Sequence, residues 1–210
     1  MRDALAAASA DDHDFYLWLN DDTTLDHDAL AHLLSTHDEL SDRGHGSVIV
    51  VGSTRDPVTG QVTYGGRSRN HPWRRAHFSV VEPKAQPVEA ETMNGNMVLV
   101  PREVVRRIGN LDAAYVHAFG DEDYGLRARK AGVGVWVAPG TLGACARNPQ
   151  PQYGREPLRK EIASMVSLKG LPPRCWARFL RRWTGPLWPL YWASPYCRRT
   201  LKIIRAHVAG

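Results

Sequence analysis

The chain has 210 residues, 27 Lys and Arg against 22 Asp and Glu, and a formal net charge of +5. Apolar residues at 43% and charged residues at 23% are ordinary globular values, which excludes a wholly disordered chain, a collagen-like repeat and a coiled coil. The charge is uneven: residues 171–210 hold eight basic residues and no acid, so the rest is slightly acidic and a uniformly basic nucleic-acid-binding domain is disfavoured.

In chain order, residues 4–10 read as the last turns of an alanine-rich helix. Phe15-Tyr16-Leu17-Trp18-Leu19 is an apolar run too short for a helix and rich in aromatics, which predicts a buried strand. Asn20-Asp21-Asp22-Thr23 stops it. Acids where a core strand ends stand at the mouth of a sheet, where open α/β folds bind ligands. The apolar spacing after Asp26 predicts a helix to Leu40, with Asp26 as a cap. Ser47–Gly52 is a second buried strand. Residues 53–87 predict a hairpin around Val62-Thr63-Tyr64 and then a long loop. Met97–Val100 is a third strand, and Pro101 opens a helix through Ile108. Asp121–Ala131 is a helix stopped by Gly132, Val133–Ala138 a fourth strand, and residues 156–168 a further helix. Strands alternating with helices predict an α/β fold with a largely parallel sheet.

Two acidic clusters lie about 100 residues apart, Asp21-Asp22 at a strand end and Asp121-Glu122-Asp123 at a helix start. Asp121 and Asp123 do not share a helix face, and Asp123 is spaced to pair with Arg127. Hard carboxylate oxygens suit Mg²⁺ or Mn²⁺, which share ligands with phosphates. One cluster could then serve a metal on a diphosphate and the other take a proton from a hydroxyl.

The stretch Phe15 to Thr23 resembles the strand and D-x-D-type motif of family 2 glycosyltransferases, which have the GT-A fold. Residues 92–132, from Thr-Met-Asn-Gly-Asn through Phe-Gly-Asp-Glu-Asp-Tyr-Gly-Leu-Arg-Ala, are similar to that family's acceptor-side segment, best in the branch written D-x-D-Y-G-L-R-A. The likeness covers roughly residues 14–148. It implies an incomplete GT-A (Rossmann-like) domain with a mixed sheet over residues 1–150, followed by a helical basic extension over 151–210. It implies an inverting enzyme moving a sugar from a nucleotide-diphosphate sugar to a glycan or lipid-linked hydroxyl acceptor, as in cell-envelope polysaccharide synthesis.

Residue by residue, the likeness makes Asp121 the general base and Asp22 a ligand of Mg²⁺ or Mn²⁺. Asp21 would contact sugar or ribose, or share the metal. Asn20 stands where many members have Asp. Asn94 and Gly95 would line the sugar pocket, a tight turn being the plain alternative, and Glu122 and Asp123 would lie on the acceptor side. The His that completes the family's metal site is replaced near Cys145; His117 could serve instead, or be an ordinary surface or core residue. Only 19 residues precede Asn20, so the likeness covers the C-terminal two-thirds of such an enzyme. A non-catalytic membrane- or partner-binding fragment and a metal-dependent phosphohydrolase are the other readings.

Four of the seven tryptophans fall in residues 176–192 among arginines and prolines. Such a segment suits an anionic membrane interface or packing onto the catalytic domain; binding of single-stranded nucleic acid is the weaker option. Pro186, Pro189 and Pro195 are expected to break any long amphipathic helix. No run reaches the roughly 18 apolar residues of a membrane span, and the N-terminus lacks the form of a secretory signal. Cys145, Cys175 and Cys197 have no metal-site spacing. The expectation is a cytoplasmic protein with reduced thiols, free or peripheral at the cytoplasmic membrane face.

Overall fold

The structure is a computed structural model that describes every residue except Pro72, Arg74, Gln150, Pro151, Lys169 and Gly210. The boundary expected between residues 150 and 151 lies outside the described residues. The chain divides into two compact units. The first comprises residues 1–70, 77–112 and 121–147, the second 71–76, 113–120 and 148–210.

The first unit is mixed α/β. After α1 (Arg2–Ala8) come β1 (Phe15–Leu19), β2 (Thr24–Leu25), α2 (Ala29–Leu40) and β3 (Ile49–Arg55). The chain continues through β4 (Val62–Tyr64), β5 (Gly66–Arg69), β6 (Phe78–Val80), β7 (Val88–Ala90), β8 (Thr92–Met93) and β9 (Met97–Pro101). Then come α3 (Arg102–Ile108), α4 (Gly120–Lys130) and β10 (Val135–Ala144). The main sheet has the order β1-β9-β3-β10-β2, with β4 on β3 and β7 on β10. A small second sheet has the order β6-β5-β8.

Period-two alternation explains why the central strands are apolar throughout. Tyr16, Trp18, Ile49, Val51, Val98, Val100, Val135 and Val137 face one core with Leu5 of α1, Val104 of α3 and Tyr124 and Ala128 of α4. The intervening Val50, Met97 and Leu99 face the other core with Ala29, Leu33 and Leu40 of α2. Helices therefore cover both faces.

Several elements depart from the sequence expectation. Among the described strands only β3 and β10 pair in parallel; β1–β9, β9–β3 and β10–β2 are antiparallel, so the sheet is mixed rather than largely parallel. Alternation of strands with helices does not fix direction when hairpins and two-residue strands also intervene. The long loop expected within residues 53–87 contains β5 and β6, two of the three strands of the small sheet. β10 continues past Ala138 by changing register around Pro139 and Gly140. Asp26 is not a cap: α2 begins after Asp28, and the Asp26 carboxylate takes both ends of the Arg55 guanidinium, at 2.7 and 2.9 Å. That contact holds the Asp26 carboxyl below its ordinary value.

The second unit contains α5 (Leu158–Met165), α6 (Pro173–Trp183) and α7 (Trp188–Ala209), with α7 packed on both others. Its centre is aromatic. Phe119 and Phe179 flank Trp176, with ring centroids 5.1 and 6.1 Å from it. The Trp192 indole N–H donates to the Pro173 carbonyl at 3.1 Å, and the Tyr196 hydroxyl to the Leu171 carbonyl at 3.0 Å. α7 is 22 residues long and runs through Pro195, contrary to expectation. Pro189 falls in its first turn, where no donor is needed. Pro195 removes one backbone bond inside the helix, and the flanking aromatic anchors hold the axis. Among the described residues no helix is long and apolar enough to cross a membrane.

Leu33 is fully buried in the α2 core. Leu33→Ala should destabilise the protein by about 2–5 kcal/mol, read as a lower urea midpoint at unchanged slope.

Candidate functional site

β1 alternates half-buried and buried residues up to its exposed last residue, Leu19, and its end sets the position of the first acidic cluster. The Asn20 backbone N–H donates to the Asn96 carbonyl at 3.1 Å, and Thr23 N–H closes a turn onto the Asn20 carbonyl at 3.2 Å. Asp21 and Asp22 form the exposed tip of that turn, while Asn20 and Thr23 are half-buried. The residue beside the turn is Cys145, at the end of β10 and 2% exposed. Burial pushes its thiol up, and the neighbouring Asp22 carboxylate does so further. Asn96 donates its amide to this sulfur at 3.6 Å. Sulfur is in any case a soft donor, poorly matched to Mg²⁺ or Mn²⁺.

The second cluster begins α4. The Asp121 side chain accepts the Gly95 backbone N–H at 2.8 Å on Oδ2 and the Glu122 N–H at 2.9 Å on Oδ1. Both oxygens are thus fixed, and each keeps a lone pair for another donor. The carboxylate also lies at the positive end of an 11-residue helix. Asn94 and Gly95 precede Asn96, so one short segment touches both clusters: its Gly95 N–H holds Asp121, and its Asn96 carbonyl holds the Asn20 turn. Asn20, Asp21, Asp22, Asn94, Gly95 and Asp121 are therefore brought to one edge of the main sheet.

Glu122 and Asp123 turn inward instead. Asp123 is fully buried and pairs with Arg127 at 2.9 Å. Arg127 in turn donates to the Ile108 and Asn110 carbonyls. The Asp123–Arg127 ion pair is the one the i,i+4 spacing indicated. Glu122 is buried too and turns to Arg67 on β5, with which it forms an ion pair; it offers no exposed acceptor face. Its carboxyl is pushed up to about 7 by burial and by Asp121, against the pull of Arg67. His117 belongs to the second unit and is exposed on a bend there.

Three residues that sequence reasoning did not single out position α4. The Thr92 hydroxyl donates to the Glu122 carbonyl at 2.6 Å. Gly125 permits this approach, because a Cβ there would lie 2.5 Å from the Thr92 hydroxyl and 2.9 Å from its Cα. Arg67 anchors the same turn. Only the Gly in the D-x-D-Y-G-L-R-A pattern hinted at this packing.

A divalent cation is the group the likeness implies. Among the described residues no three His, Cys, Asp or Glu side chains converge as a ready-made cage. Mg²⁺ characteristically uses one or two carboxylates and takes its other ligands from water and substrate phosphates. The exposed Asp21 and Asp22 carboxylates, with the Asn20 amide, are all-oxygen donors of that kind, so the donor set fits. No protein-family model and no curated protein matches the chain.

Glu122 gives a pH prediction. Its folded value of about 7 exceeds its ordinary value of 4.5, so the folded state binds the proton more tightly. The stabilisation is fully present below pH 4.5 and is lost as pH rises through about 7. Relative to Glu122→Gln, the wild type should lose up to about 3 kcal/mol across this window, measured by urea unfolding at a series of pH values.

Proposed function

We propose that the chain carries the acceptor-side part of an inverting GT-A glycosyltransferase, which moves a sugar from a nucleotide-diphosphate sugar to a hydroxyl of a glycan or lipid-linked acceptor. One observation carries the reading. Asp121 is fixed through both carboxylate oxygens at a helix N-terminus, by the same segment that holds the Asn20–Thr23 turn. Such a geometry suits a general base beside a site for a charged donor.

In this reaction Asp121 accepts the proton of the acceptor hydroxyl. That oxygen forms a bond to the anomeric carbon as the bond to the diphosphate oxygen breaks on the opposite face, which inverts the configuration. Positioning by Gly95 and Thr92 keeps the base from rotating away, and holding both reactants in line supplies much of the acceleration. Asn94 and Gly95 would border the transferred sugar. Asp22, with Asp21 beside it, would hold a Mg²⁺ or Mn²⁺ whose charge offsets that of the departing diphosphate. The first unit has 13 basic and 20 acidic residues, so an anionic donor meets a repulsive field unless a cation intervenes. The three cysteines are free, as a reducing cytoplasm would keep them.

The test is nucleoside-diphosphate release from a panel of nucleotide sugars with Mn²⁺ and a hydroxyl acceptor. Asp121→Asn should lower the rate by roughly 10²–10⁴-fold while leaving the melting temperature near wild type. A retained rate would show that Asp121 is not the base. Release of phosphate from the nucleotide sugars without an acceptor, in place of nucleoside-diphosphate release, would point to a phosphohydrolase.

Asp22 is tested by metal dependence. Chelation should abolish turnover, and Asp22→Asn should raise the Mn²⁺ concentration needed for half-maximal activity. Thermal shift with Mn²⁺ plus donor should report the same weakening.

A further inference from the structure

Charge is divided between the units far more sharply than along the sequence. The second unit holds 14 Lys and Arg against two Glu. Exposed apolar side chains follow the same division. Among the described residues, 11 of the 15 large apolar side chains exposed on the chain belong to this unit.

On α7 they are ordered. At 100° per residue, Leu190, Cys197, Leu201, Ile204 and Val208 fall within an arc of about 60°. Buried Ile203 faces the other way. Leu190 is 68% exposed, Leu201 55%, Ile204 43% and Val208 83%. Arg198, Lys202 and Arg205 follow the stripe along one flank. All three are exposed. On α6 the residues Arg174, Arg178, Arg181 and Arg182 line one groove, while Cys175, Trp176, Phe179 and Leu180 fill the interior. Trp176 thus packs inside the unit, and the exposed apolar side chains of α7 are aliphatic, with a basic margin.

We propose that the second unit docks on an anionic lipid surface through the exposed stripe of α7, with Leu190, Leu201, Ile204 and Val208 entering the interface and Arg198, Lys202 and Arg205 meeting lipid phosphates. An amphipathic helix with an apolar face, a basic margin and no acid has the composition of an interfacial helix. Charge selects among occupants. A second copy would bring one strongly basic unit against another, which is repulsive. A nucleic acid would satisfy the arginines and leave the apolar stripe against water. An anionic bilayer accepts both features. The proposal does not rest on the transfer reading.

The experiment is vesicle flotation with the full chain. Vesicles are phosphatidylcholine alone or phosphatidylcholine with a third phosphatidylglycerol, at low and high salt. Binding is expected only with phosphatidylglycerol and is expected to fall with salt. Leu201→Glu with Ile204→Glu should reduce flotation to background. Replacing Arg198, Lys202 and Arg205 together by Gln should weaken binding about 10²-fold, at roughly fivefold per residue. Circular dichroism melts check folding; if the Glu variant does not fold, the Gln variant decides. Absence of wild-type flotation, equal flotation with neutral vesicles, or unchanged flotation of the folded variants would overturn the proposal. A stripe-dependent dimer by light scattering without vesicles would assign the face to a second copy and overturn it as well. Asp121→Asn should float like wild type, so failure of this proposal and failure of the transfer reading are separable.

Discussion

Three strands, β9, β3 and β10, have a neighbour on each edge and helices over both faces, so their backbone polar groups have no water to turn to and must pair within the sheet. That requirement fixes the rest of the first unit. It sets β1 against β9 so that Leu19 lies opposite Met97, and the next residues outward are Asn20 and Asn96. The strand ends, where pairing stops and polar groups become exposed, are where the carboxylates collect. The Asp26–Arg55 pair stands nearby as a brace: Arg55 ends β3, and its guanidinium also donates to the Gly143 carbonyl of β10 at 3.4 Å. The turn carrying Asp21 and Asp22 is thus framed by residues from three strands.

The two acidic clusters illustrate how one charge type is put to different uses by burial. Asp21 and Asp22 are exposed and project from a turn. Asp121 is half-buried and held by backbone donors. Glu122 and Asp123 are buried, and each has an arginine partner. Five carboxylates read from sequence as two groups are three kinds of environment, and only the first two leave oxygens accessible for chemistry. A buried carboxylate without its arginine would be strongly destabilising, so Arg67 and Arg127 are part of what allows three consecutive acids to open a helix.

Much of the first unit was legible in the sequence because a strand buried on both faces writes itself as an uninterrupted apolar run. Phe15–Leu19 and Met97–Val100 were read to within a residue. The short strands of the small sheet were not, since β5 is Gly66-Arg67-Ser68-Arg69 and carries no apolar alternation. The extension of β10 past Pro139 and the passage of α7 through Pro195 were hidden for one reason: local propensity opposes both, and tertiary contacts override it. In the site, the acidic cluster holding Asp121 stood out by its charge, whereas the role of Asp121 as base and the choice of Asn94 and Gly95 came from the resemblance. The Arg67–Glu122 pair spans 55 positions, and no periodicity connects residues so far apart. The exposed stripe of α7 was masked by the same prolines that were expected to end the helix.

The antiparallel register of β1 and β9 has a consequence for how the chain can vary. Side chains alternate between the two cores with period two, so sliding one strand by a single position would send Tyr16 and Trp18 toward α2 and Phe15 and Leu17 toward α4. The same slide would carry Asn20, and the aspartate turn that follows it, away from the Asn96 carbonyl. Core and carboxylates are measured along one ruler. Lengthening the exposed Pro57–Gly60 hairpin tip touches neither, whereas one residue added within β9 dislocates both, so the packing that holds the sheet together also guards the spacing of the acids at its edge.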